Sequence, residues 1–215
     1  TSLSAFAGAL IAISFVYSIS RFRFGFSGET LLLTGVAISF FFSSLILFIQ
    51  YLSNVADSFQ IIRWLMGSLT VVGYQELKQL LPFVMLTAVV IIYLSRELNL
   101  LMAGDEIATS RGVSVKYVRY ALFFVTSLCV GAIVALCGPI GFVGMMVPHI
   151  CRLIIGEDHR YLIPATLLFG GSFLVICDTL ARLVIAPAEL PVGVITTLLG
   201  GPFFLWLLMR YKSQH

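Results

Sequence analysis

Charge is scarce in this chain. Of its 215 residues, thirteen are Lys or Arg and ten are Asp or Glu, 11% together, against about a quarter in an ordinary soluble domain. Hydrophobic residues make up 60% and the mean hydropathy is +1.05. A soluble fold of this length has too little interior to hide that much apolar surface, so the composition implies an integral membrane protein. The net charge is only +3, and no dense basic run is present, which argues against a nucleic-acid partner. Cysteine is equally sparse. Cys129, Cys137, Cys151 and Cys177 all lie in apolar runs and no C-x-x-C pair occurs, so neither a disulfide framework nor a zinc site is supported. They read as small apolar packing residues. A phosphate-binding G-x-x-x-x-G-K-[ST] is also missing, so ATP chemistry, if required, has to come from another chain. There is no signal-peptide pattern, and the chain opens on Thr1 directly into an apolar run. That start leads to the expectation that an amino-terminal portion precedes it.

What is present is a series of apolar runs of about 17–25 residues, the length that crosses a bilayer as a helix. Seven are expected: roughly 3–19, 31–52, 80–95, 120–137, 139–155, 162–185 and 192–209. The run 80–95 is short and 139–155 carries helix breakers. The connections differ in character. Ser20 to Glu29 is short and basic. Ser53 to Lys78 is long, and the apolar part of its segment DSFQIIRWLMGSL is too short to span; Trp64 and Met66 suggest a helix lying at the interface or re-entering it. Arg96 to Arg119 is the most polar stretch. Gly156 to Arg160 is a tight charged turn.

Alternate connections share one side if every run spans. One side then holds Arg21, Arg23, Arg96, Arg111, Lys116, Arg119, Arg152, Arg160, Arg210 and Lys212, ten of the thirteen basic residues; Arg63, Lys78 and Arg182 remain for the other. Lys and Arg concentrate on the cytoplasmic side. The asymmetry supports seven crossings, a first run that enters from outside and a cytoplasmic carboxyl end. Without a crossing at 139–155 the asymmetry would largely vanish.

That broken segment begins GPIGFVGMMVPHICRL, Gly138 to Leu153. Gly138-Pro139 reads as a helix start, since proline is tolerated in a first turn. Gly138, Gly141 and Gly144 recur every three residues and would form a narrow stripe for close helix approach. Pro148 removes one backbone hydrogen bond and leaves the Gly144 carbonyl without its partner, and His149 needs a partner too. Such a segment belongs among other helices or beside water. Both a transport pathway and a tightly packed central helix satisfy it.

The polar stretch Asn99 to Arg119 reads as two short helices. Gly104, Asp105 and Glu106 place acids at a helix start, where they favour the positive end of the dipole. Gly112 is placed to stop that helix after about two turns. Ser114 is placed to cap the next, which continues into the following span. The result is a compact cytoplasmic elbow, suited to docking another protein or simply solvated.

Two long blocks are more specific. GPIGFVGMMVPHICRLIIGEDHR (138–160) and DTLARLVIAPAELPVGVITTLLGGPFFLWLL (178–208) closely resemble the permease subunits of type II ABC importers, the FecCD-like family for iron–siderophore, haem and cobalamin uptake. LNLLMAGDEIATSRGVSV (98–115) and RWLMGSL (63–69) match its pattern too, in order. The resemblance implies an all-α polytopic membrane protein, a single permease domain over 1–215, with these seven runs matching the last seven of ten helices. It implies a second permease subunit, as homodimer or heterodimer, two ATP-binding subunits and an external substrate-binding protein, in the bacterial cytoplasmic (inner) membrane. No cofactor is expected on this chain; ATP and Mg belong to the partner ATPase, and the chain is not itself an enzyme. By the same carry-over the elbow, 98–118, is the coupling element, with Gly104, Asp105, Glu106, Ala108, Arg111, Gly112 and Val113 facing the ATPase.

Other residues keep two readings. Asp178 and Arg182 lie four apart on one helix face and can neutralise each other; alternatively Arg182 reaches outward to an acid on the binding protein, as outer arginines do in this family. Arg63 is either a second such contact or an interfacial anchor. Pro191 fits the first turn of the last span, and Gly200-Gly201-Pro202 is expected to break it midway. His159, beside Glu157 and Asp158, reads as a solvated turn that touches the ATPase; a metal site there lacks converging ligands. Thr34, Ser39, Ser43 and Ser44 either line a water-filled route or bond back to their own helix. The functional expectation is a permease translocating an iron–siderophore or related metal chelate by alternating access. Its rival is an ion-coupled secondary transporter, which needs unpaired ionisable groups at mid-membrane; only His149 and Asp178 qualify.

Overall fold

The computed structural model describes residues 2–23, 28–70, 73–185 and 188–212; side chains are described over 4–19, 30–70, 73–185 and 188–207 and at 209. The described chain is α-helical, with no strand among the described residues. Ten helices follow in order: α1 (Ser2–Arg23), α2 (Gly28–Leu52), α3 (Val55–Leu65), α4 (Tyr74–Tyr93), α5 (Ser95–Met102), α6 (Asp105–Ser110), α7 (Val115–Cys137), α8 (Val143–Ile155), α9 (His159–Leu183) and α10 (Val192–Lys212). Each of the seven expected apolar runs falls on a helix. Four meet the length and apolarity of a membrane span: Thr30–Leu52, Tyr74–Tyr93, Val115–Cys137 and His159–Leu183. Ser4–Ile19, Val143–Ile155 and Val192–Leu207 are shorter apolar helices. The chain is thus a multi-pass, all-α membrane protein.

Several boundaries differ from the sequence reading. α4 begins at Tyr74, inside the expected long connection, and Pro82 is accommodated within it. The early turns of α4 carry Glu76 and Lys78, whose charge hid them from an apolar count. α7 and α9 begin at Val115 and His159 for the same reason. The segment Val55–Leu65 is a helix of 11 residues, about 16 Å long. It is capped by Asn54, whose side chain accepts from the Asp57 N–H at 3.0 Å.

α7 is the organising element. α1 packs antiparallel to it: Tyr17 near the end of α1 meets Tyr120, Phe123 and Phe124 near the start of α7, with ring centroids 6.0, 6.5 and 5.1 Å away. Further along, a Cβ on Gly131 would lie 3.1 Å from Ala9 Cβ, so small residues let these two backbones approach. α4 lies on α7 as well, with Thr87 Oγ1 donating to the Phe83 carbonyl at 2.8 Å and to Val125 O at 3.3 Å. α8 and α9 form a second pair around buried Val147, Cys151 and Leu162. All four cysteines are free and buried.

The alternation of helices gives the bundle two ends about 34 Å apart, the length of the 23-residue α7. One end carries the elbow α5–α6 and the α8–α9 turn. The other carries the end of α3, the α7–α8 junction and the start of α10. Arg96, Arg111, Lys116, Arg119, Arg152 and Arg160 lie at the elbow end and Arg63, Lys78 and Arg182 at the other. The side chains of the connection 20–29, Arg21 and Arg23 among them, and those of Arg210 and Lys212 lie outside the described residues, as do residues 24–27 altogether.

Candidate functional site

The elbow is built from local rules. Leu94 closes α4 and opens α5, and both Leu94 and Ser95 are buried. α6 starts at Gly104, whose φ of 115° suits glycine. Asp105 and Glu106 occupy its first turn, exposed. Its end is a Schellman motif: Val113 N–H donates to Ala108 O at 3.0 Å and Gly112 N–H to Thr109 O at 2.9 Å, with Gly112 at φ 85°. Ala108 is fully buried beneath this turn. Arg119, one turn into α7, holds Asp105 at 2.8 Å. Ser114 takes the N-cap position of α7 but makes no side-chain cap. So Gly104, Asp105, Glu106, Ala108, Arg111, Gly112 and Val113 form one small folded unit. The sequence reading missed α5, because Arg96 and Glu97 mask its start.

The elbow is also fastened to the α8–α9 turn. Asn99 Nδ2 donates to Asp158 Oδ1 at 2.7 Å, and Asn99 Oδ1 accepts from the His159 backbone N–H at 2.9 Å. His159 Nδ1 lies 2.7 Å from the same oxygen. The backbone N–H fixes which end of the amide faces His159, so Nδ1 carries the proton. His159 is therefore half-buried and bonded, not a freely solvated turn residue as expected. Asp158 also caps α9 by accepting from Arg160 N–H at 3.0 Å. That amide first, then Asn99, holds the Asp158 carboxyl below the usual aspartate range.

At the opposite end three backbones meet. Gly138 is not a helix start but the residue that ends α7, at φ 70°, and α8 begins only at Val143. Residues 138–142 are non-helical, so Pro139 stands in no first turn. The expected stripe of Gly138, Gly141 and Gly144 does not form, because only Gly144 is helical. The reason is contact. A Cβ on Gly138 would sit 2.4 Å from Trp64 O, one on Gly67 2.3 Å from Pro139 O, and one on Gly193 2.1 Å from Met66 O. Real side chains essentially never approach so closely. Ser68 N–H donates to Cys137 O at 2.7 Å and Gly193 N–H to Gly67 O at 3.2 Å. The breakers of this stretch serve a backbone-to-backbone junction of α3, α7–α8 and α10. Gly67 and Gly193 were not singled out from sequence; nothing local marks a glycine whose reason, Pro139 O or Met66 O, lies far along the chain.

α8 carries the rest of the broken segment. Its N-cap, Phe142, has φ 64°, unusual for a non-glycine residue. A Cβ on Gly200 would meet Phe142 Cβ at 2.3 Å, and the Phe142 ring lies 5.9 Å from Phe204. α10 runs unbroken through Gly200, Gly201 and Pro202, contrary to expectation; the first glycine is a seat for Phe142 rather than a hinge. Pro191 precedes α10 instead of entering its first turn. Pro148 lies within α8, Gly144 is exposed, and the His149 ring stands 6.4 Å from Phe203.

Arg63 and Arg182 both lie at the junction end. Arg182 Nε donates to Asp178 Oδ2 at 2.8 Å, and its Nη1 is 3.9 Å from Glu189 Oε1, a third member the sequence reading did not include. Arg63 is exposed beside a cleft of 180 Å³ lined by Trp64, Ser68, Thr70, Leu136 and Cys137. On α2, Ser44 Oγ bonds back to Phe40 O at 2.9 Å and Thr34 is buried, while Ser39 and Ser43 line an open groove with Gly35.

Comparison with known proteins adds the following. The family model described as the FecCD transport family matches residues 1–210. The chain is 39% identical over 212 residues to the hemin transport system permease protein HmuU of Yersinia pestis, covering 99% of this chain and 63% of that protein. It is 43% identical over 209 residues to the cobalamin import system permease protein BtuC of Halobacterium salinarum, covering 95% and 55%. The chain thus spans about three fifths of the length of these relatives. An inward-facing structure of a metal-chelate type ABC transporter superposes with a TM-score of 0.82 at 30% identity, covering 98% of this chain and 74% of that one.

Proposed function

The chain belongs to the FecCD transport family, and from that premise we propose that it is part of a membrane-spanning permease subunit of an ATP-binding cassette importer. Its cargo is an iron–siderophore or a related metal chelate such as haem or cobalamin, moved into the cytoplasm by alternating access. The observation that carries this reading is the elbow. A small, sealed, polar helical unit stands at one end of an otherwise apolar bundle, with Asp105 and Glu106 exposed on it. A solvated loop needs no Schellman closure and no ion pair to α7.

In this reading the elbow end faces the cytoplasm, as does the carboxyl end, in the bacterial inner membrane. The elbow seats in a groove of an ATP-binding subunit, which supplies ATP and Mg. Gly104, Asp105, Glu106, Ala108, Arg111, Gly112 and Val113 receive its movement. Pro148 and His149 of α8 lie toward the translocation route, and Arg63 and Arg182 lie on the outer face, where a substrate-binding protein docks. A second permease subunit, identical or related, completes the pathway. Of the two groups an ion-coupled reading could use, Asp178 is already neutralised by Arg182 at 2.8 Å, which leaves His149 alone to carry it.

The test is co-expression of the full permease with candidate ATP-binding subunits and purification in detergent. Specific co-purification that weakens when Asp105→Ala and Glu106→Ala are combined supports the reading. If no ATPase associates in any condition, the reading is overturned and proton- or sodium-driven uptake becomes the one to measure.

A further inference from the structure

We infer that Asn99, Asp158 and His159 form a latch that passes movement of the elbow to α8 and α9; the inference rests on the proposed role of the elbow. The elbow is covalently continuous with α4 and α7 alone. The start of α9 lies 59–60 residues further along, joined to α5 by three polar contacts that converge on one side chain, and α8 packs on α9. Asn99 uses both ends of its amide, one as donor and one as acceptor. Hydrogen bonds of this kind are directional, so they fix orientation as well as distance.

The placement of the latch decides what it moves. Asp158 Oδ1 accepts from Asn99 and from the Arg160 N–H that opens α9, so Asn99 is bonded into the cap of that helix. Two residues earlier Gly156, at φ 96°, ends α8. One turn into α9 is Leu162, buried against Val147 and Cys151 of α8. The two helices are therefore one packed body, which α5 meets both through this polar handle and by packing on α9. α7 has a handle of its own, the Arg119–Asp105 pair. A push on the elbow consequently reaches both partners of the α7–α8 junction, 34 Å away along α7. There Gly138 to Phe142 leave the helix and α10 is seated. Asn99, Asp158 and His159 are positioning residues: they act through the helices they hold.

The experiment uses the assembled importer in liposomes and reads cargo taken up per ATP hydrolysed. Asn99→Asp keeps an acceptor for the His159 N–H but sets a carboxylate against Asp158. Asp158→Ala removes the one oxygen that accepts from both Asn99 and the Arg160 N–H. Each single change is expected to lower uptake per ATP by about two- to thirtyfold, the range of coupling changes along packed networks, with the ATPase still co-purifying. Asp158→Asn keeps an oxygen at that shared position, able to accept from both donors, and is expected to hold the ratio near that of the unaltered protein. A merely structural role would lower assembly and leave the ratio unchanged. Unchanged ratios in Asn99→Asp and Asp158→Ala, or an Asp158→Asn as poor as Asp158→Ala, overturn the latch while the docking reading stands. Absence of any ATP-driven uptake or ATPase association in the unaltered protein overturns both. A measurement without variants guards against misfolding. Adding a non-hydrolysable ATP analogue to the unaltered complex should change amide exchange over 95–112 and over 156–163 together; a change confined to 95–112 overturns the latch.

Discussion

The two ends of this bundle are held by different chemistry. At the elbow end the contacts are made by side chains: Asn99 to Asp158 and His159, and Arg119 to Asp105. At the junction end they are made by backbone, with Gly67, Gly138 and Gly193 laid against carbonyls of Pro139, Trp64 and Met66. Side-chain contacts break and re-form through rotamer changes. Backbone contacts of this closeness cannot loosen without moving whole helices. The difference teaches that one residue type carries two meanings. Gly104 and Gly112 have positive φ and open space around them, whereas Gly67 has positive φ and a carbonyl where its Cβ would be.

The sharpest break of that comparison substitutes one glycine at each end. Gly67→Ala adds an overlap to a left-handed backbone and is expected to cost about 2–5 kcal/mol. Gly112→Ala carries the backbone term alone, about 1–2 kcal/mol. Thermal unfolding of both variants in one detergent decides it; equal losses would mean the junction yields and the contrast is false.

A smaller effect separates neighbours on α10. Gly200→Ala meets Phe142 and should destabilise by about 1–3 kcal/mol. Gly201 has nothing within 4 Å of its would-be Cβ, so Gly201→Ala should gain about 0.5–1 kcal/mol from helix propensity. The same unfolding assay on the isolated subunit reads both, and a loss at Gly201 would show that the seat is not local.

The smallest effect is one of pH. The Asp158 carboxyl is held below its ordinary value by the Arg160 N–H and then by Asn99. Its folded form therefore favours the ionised state. The contribution is present above the unfolded value and is lost as pH falls through the lower folded one, that is, below about pH 4. Exchange of the Arg160 amide should quicken in that window, and Asp158→Asn should abolish the step. The Ser68 and Gly193 amides, bonded to carbonyls at the junction, should show none.

The α6 closure was readable because its signals are contiguous: acids at the start, Gly112 at the end, all within one turn of the atoms they serve. The Asp178–Arg182 pair was readable for the same reason, being four residues apart on one helix. Glu189 escaped because it joins them from beyond the end of α9. The stretch 138–148 shows the limit. Its breakers announced an irregular segment, but local rules placed a helix start at Gly138 and, on the last span, a break at Gly200-Gly201-Pro202. Those rules price a glycine by its own φ and propensity, and here the deciding atoms were Trp64 O and Phe142 Cβ.

By itself the sequence determined a membrane bundle, its apolar runs, its polar elbow and its family pattern. Hydropathy and helix termination depend on neighbours within a turn or two, which a linear reading can see. That α7 ends at Gly138, that Gly67 and Gly193 are contact glycines, and that Asn99 fastens the elbow to α9 all follow from packing between helices distant in sequence. Close approach between residues 59 or more positions apart is set by how helices pack, and no local pattern encodes that distance.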